Sequence, residues 1–246
     1  MKPTYVLLAL AASGCTDTTD AVRVMLPVGT TAAAPAAATT DLGYDVTVTS
    51  IAIGVTGIQF TIEGEMHEDV TAPPGTVLHP GHSAGGEVTG ELQGNHVLRW
   101  TGGAQPAIGT GTLIVGSYQG ANFTFRPTDS NDDLPANDPL FGHALHVTGT
   151  ATKDGMTRPF DAVLDVERDT TVIGAPFVAD ISETSTPTLA FTFNPVDPEE
   201  NDTAFDGIDF FTLAATGPIE IRPGSAAHNI LRRVITTHDH YAVFPE

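Results

Sequence analysis

The sequence predicts an all-β protein, a single antiparallel β-sandwich-like domain with long loops and little helix. Three observations predict it. The 25 Gly and 18 Pro of the 246 residues break the chain about every 8 to 12 residues, the spacing of turns between short strands. Apolar and polar residues alternate between those breaks, as they do on a half-buried strand. No stretch of about 12 residues carries the helical period.

The elements follow in order. Val46 and Val48 share one phase of alternation, and Ile51, Ile53 and Val55 take the other. A switch of phase inside one run marks a bulge or bend. Ile58, Phe60 and Ile62 read as a second strand. Leu113-Ile-Val115 and Ala121-Asn-Phe-Thr-Phe125 flank a Gly-Ser-Tyr-Gln-Gly turn. The clearest hairpin runs from Leu145 to Val166 around Lys153-Asp154-Gly155, because Asp-Gly suits a turn whose central residues need positive φ. The best helix is Ser225-Ala-Ala-His-Asn-Ile-Leu-Arg-Arg233, with Ser225 as its N-cap.

The N-terminus reads as an export signal. Lys2 precedes the short apolar run Tyr5 to Ala11 and the small residues Ala12-Ser-Gly14, which lead to Cys15, the chain's one cysteine. That run is too short to span a bilayer. Leu10-Ala-Ala-Ser-Gly-Cys15 resembles the lipobox of bacterial lipoproteins. The resemblance implies cleavage before Cys15, lipidation of that residue and a membrane anchor. Thr16 stands where an Asp would favour retention at the inner membrane, so the outer membrane is implied. Residues 1–14 are then the signal peptide and 15–43 a lipidated tether, low in complexity at Thr30-Thr-Ala-Ala-Ala-Pro-Ala-Ala-Ala-Thr-Thr40. Within it, Val22-Arg-Val-Met-Leu-Pro-Val28 is apolar enough to dock as a strand. Residues 44–246 form the domain. With a single cysteine, no disulfide can form within one chain.

The formal net charge of −20 argues against binding nucleic acid or an anionic membrane surface, both of which need basic residues.

Candidate ligands come from the nine histidines. His238-Asp-His240 on a strand would project two imidazoles from one face, a bidentate clamp for zinc or copper. His79-Pro-Gly-His82 fits a type II turn, whose outer residues lie within about 7 Å of each other. His143, after a glycine at a strand entrance, is the third choice. His146, three residues on, faces the other side of a regular strand. His67 among carboxylates and His228 in the helical turn rank lower. His96 alternates with Leu98 and Trp100 and reads as the edge of the core. Asp129-Ser-Asn-Asp-Asp133 and Asp197-Pro-Glu-Glu-Asn-Asp202 offer oxygen donors suited to calcium, although turn-forming Asp and Asn explain them as well.

Three functions compete. The first is an exported, lipid-anchored transition-metal binder (zinc or copper) for capture, buffering or delivery. The second is a metal-dependent enzyme of the zinc lyase or hydrolase type, for which no carboxylate near the histidines stands out as a base. The third is a surface binding or adhesion module whose histidines are incidental.

Overall fold

The computed structural model describes residues 21–62 and 88–246. The strands are β1 (Arg23–Thr30), β2 (Ala38–Thr39), β3 (Asp45–Thr61), β4 (Val88–Trp100), β5 (Gly109–Ile114), β6 (Gly116–Phe125), β7 (Leu145–Lys153), β8 (Met156–Leu164), β9 (Thr171–Ile181), β10 (Leu189–Phe193), β11 (Ile219–Ile221) and β12 (Tyr241–Pro245). Two helices, α1 (Phe210–Leu213) and α2 (Ala226–Ile235), and a 3-10 turn at His238–His240 complete the fold.

All twelve strands belong to one hydrogen-bonded sheet, in the order β11-β8-β7-β3-β4-β5-β1-β10-β12, with β2 and β6 also on β3 and β9 on β6. The protein is mostly β, as predicted. The sheet is mixed rather than antiparallel, since β1–β10 and β8–β11 are parallel pairs. It curls, so that β12 runs beside β9 without pairing with it.

The axis of the sheet is β3. On one edge, Asp45 to Ile53 pair with β7, and Val55 to Thr61 pair with β6. The other edge carries β2 and β4. The changeover falls at Gly54, whose N–H donates to Ala144 O (2.9 Å) while its O accepts from Arg126 N (3.0 Å). A Cβ there would lie 2.6 Å from Arg126 O and 2.9 Å from Thr128 Cγ2, so only glycine lets both neighbours approach. The phase switch read between Val48 and Ile51 is real: the register with β7 shifts between Val48 and Ser50. The strand expected separately at Ile58 is the continuation of β3 past Gly57, which sits at φ +63°.

Two aromatic groups lie in one continuous core. Phe60, Phe123, Phe177, Phe191 and Tyr241 meet inside the curl, with ring centroids 5.1 to 5.9 Å apart for Phe60–Phe177, Phe123–Phe191 and Phe123–Tyr241. Tyr44, Phe160, Phe205 and Phe210 form the second group under α1, with Tyr44–Phe210 at 5.4 Å and Phe160–Phe205 at 5.8 Å.

Several local expectations hold. The β7–β8 hairpin turns at Asp154 (φ +52°) and Gly155 (φ +74°). Ser225 caps α2, its hydroxyl accepting from His228 N at 3.1 Å. Others change. The turn expected at Gly116–Gly120 is strand, with Tyr118 fully buried. Its flanks β5 and β6 do not pair with each other. The span expected as tether supplies β1, which pairs with β5 and β10 and buries Leu26 and Val28. The docked-strand reading of 22–28 is therefore the observed one, and folded chain begins by Arg23.

Two predictions follow from the packing. Gly54→Ala should cost about 1–3 kcal/mol, the usual range for atoms forced into a packed site, measured by denaturant unfolding. Burial raises the phenols of Tyr44, Tyr118 and Tyr241 above the ordinary value of 10.0, and a hydrogen bond to Asp209 adds to the effect at Tyr44. Unfolded tyrosines therefore ionise first. The stability these three contribute is complete below about pH 10 and is lost as the pH rises through their folded values. In an alkaline titration, phenolate absorbance from these three should rise together with loss of the sheet's circular dichroism, not ahead of it.

Candidate functional site

His67, His79, His82 and Cys15 lie outside the described residues. The other six histidines are placed, and each has its own partner.

The extended backbone expected at 238 and 240 is not the one observed. Residues 238–240 are a 3-10 turn rather than strand, so side chains two apart no longer share a face. His240 is buried, and its Nδ1 donates to Asn194 O at 2.8 Å. Its ring packs against Phe193, with centroids 6.2 Å apart. His238 instead turns its Nε2 to Asp239 Oδ1 at 2.8 Å. Strand begins only at Tyr241.

His143 does belong to the loop before β7, the condition for sharing an ion with His146. The two rings nevertheless go to different carboxylates. His143 Nδ1 donates to Asp165 Oδ1 at 2.7 Å, and His146 Nε2 to Asp161 Oδ2 at 3.0 Å. Asp161 and Asp165 are four residues apart along extended chain, about 13 Å at the usual strand rise. Asp161 also pairs with Arg222 at 2.7 Å. His228 is buried in α2 and accepts the N–H of Asp165 on its Nε2 at 3.1 Å. His96 sits at the core's edge, as expected, and its Nε2 donates to Gln93 O at 2.8 Å.

Asp161 and Asp165 were missed in the sequence, although the hairpin register contains them. His146 stands opposite Val163, so the outward residues on either side of Val163 along the strand are Asp161 and Asp165. A carboxylate on one ring nitrogen is how metal-binding imidazoles are oriented. Ligation also needs several donors to converge, and among the described residues no histidine belongs to a group of three candidate ligands.

The group of three that does exist among the described residues is Asp197, Glu200 and Asp202, whose oxygens lie within 4.8 Å of one another. It falls in the second acidic loop picked out for calcium. Asp197 is buried and works as a turn former, its Oδ1 accepting from Glu199 N (2.7 Å) and Glu200 N (3.2 Å). Three carboxylates are fewer than the roughly six to eight oxygens calcium takes. In the first acidic loop, Asp132 is spent on an ion pair with Arg126, and Asp129 Oδ1 accepts from Asn131 N.

The chain matches no protein-family model, no curated protein and no solved structure. No described helix is long and apolar enough to cross a membrane.

The two histidines of the 3-10 turn should respond differently to truncation. His240→Ala removes a buried ring together with its hydrogen bond to Asn194 O and should cost about 1–3 kcal/mol. His238→Ala removes a partly exposed pairing worth about 0–1 kcal/mol. Thermal or denaturant unfolding separates them, whereas a shared metal site would make the two losses equal and metal-dependent.

Proposed function

We propose that the chain is an exported, lipid-anchored β module that binds a partner at the cell envelope through its surface. One observation carries this reading over the metal readings: among the described residues no histidine converges with two other candidate ligands. The lipobox-like stretch ending at Cys15 supports the anchor, and Thr16 after it supports the outer membrane. An acidic chain of net charge −20 favours a partner that is neither nucleic acid nor an anionic surface. A curled sheet with long loops suits recognition, since loops on a rigid scaffold present contact residues.

The transition-metal reading, zinc or copper, now rests on His79 and His82, with His67 beside them in the sequence. Pro80-Gly81 between them is the specific feature in its favour. The metalloenzyme reading needs three histidines around an open position and has no support among the described residues.

Two measurements on the whole protein test these proposals. Cys15→Ser should abolish palmitate labelling and move the protein from the membrane fraction to the soluble one; unchanged fractionation would remove the anchor. Zinc and copper should be substoichiometric in the purified protein. A full equivalent of either, lost in His79→Ala with His82→Ala, would overturn the binding-module reading in favour of metal capture.

A further inference from the structure

We infer that His228 is an acid-sensitive latch between the first turn of α2 and the end of β8. Its ring is buried, and its Nε2 faces the backbone N–H of Asp165 at 3.1 Å. A backbone N–H can only donate, so Nε2 holds a lone pair and the proton sits on Nδ1, facing Asn229 Oδ1 at 3.1 Å. The imidazole therefore joins helix to strand in its neutral form. A second proton has to go to Nε2, where it sets two N–H donors head to head. The bond to Asp165 is then lost.

Among the described residues, the groups around that bond have other partners. On α2, Ser225 Oγ is engaged by His228 N (3.1 Å) and Arg232 by Glu167 (2.8 Å), and Arg233 is the other cation of the helix. On the strand side, the Asp165 carboxylate is held by His143 Nδ1 at 2.7 Å. None of these charges gives the Asp165 N–H a new partner. The far end of α2 has separate anchors: Leu231 and Ile235 are buried, and Tyr241 Oη donates to Ile235 O at 2.8 Å. Release is thus confined to the first turn. Protonation of the ring therefore opens the latch there.

Amide hydrogen exchange followed by NMR at about pH 8 and about pH 5 tests the latch. The protection factor of the Asp165 amide should fall about tenfold on acidification, the equivalent of one lost hydrogen bond, while the amides of Leu231 to Ile235 keep theirs. His228→Gln, whose amide oxygen accepts without titrating, should keep Asp165 protected at both pH values. His143→Gln should leave the acid response intact. The inference is overturned by a pH-independent Asp165 amide in the unmodified chain, by a response that survives in His228→Gln, or by one abolished in His143→Gln. Should His228→Gln not fold, the ring 15N shifts of the unmodified protein decide: a lone pair on Nε2 at neutral pH supports the latch, and a proton there overturns it.

Discussion

A single residue without a side chain lets one strand serve two sets of neighbours. At Gly54 the partner of β3 changes from β7 to β6, and the glycine bonds to both sides at once, through Ala144 O and Arg126 N. The strands on that edge of β3 are placed by the fork, while β4, β5, β1, β10 and β12 run on from its other edge. The branch through β7, β8 and β11 carries the helices and the aromatic group around Phe160. The branch through β6 and β9 curls round to meet β12 and encloses Phe60, Phe123 and Phe177. A Cβ 2.6 Å from Arg126 O would push the chain leaving β6 away from β3.

The parts of this fold legible in the sequence are those decided by neighbours in the chain. The Asp154-Gly155 hairpin, the Ser225 cap and the phase switch after Val48 each follow from the conformational demands of a few adjacent residues. The parts that were not legible depend on distant partners. Gly116 to Gly120 has turn composition, but β9 pairs with Gly116, Ser117, Tyr118 and Gly120, β3 joins at Gly120, and the span is drawn into strand. Alternation alone also cannot tell parallel from antiparallel pairing, so the β1–β10 and β8–β11 pairs left no mark.

The candidate site shows the same divide more sharply. His238-Asp-His240 is a clamp only if the backbone is extended, and nothing local distinguishes that from a 3-10 turn. The turn is set by contacts that pull His240 inward, to Asn194 O and Phe193. Among the described residues the histidines are spread over separate partners. His96 and His240 satisfy carbonyls, His143, His146 and His238 meet carboxylates, and His228 receives a backbone N–H. Buried or half-buried imidazole is used here much as buried amide is elsewhere, to complete hydrogen bonding where the sheet leaves groups open.

The place of β1 has a mechanical consequence. β1, the first described strand, lies in the interior of the sheet, between β5 and β10, rather than at an edge. A pull delivered through the residues before Arg23 would run along the axis of that strand. It would load the ladder bonds on both sides together, in shear, instead of peeling them one after another. The first described strand is thus built to bear tension.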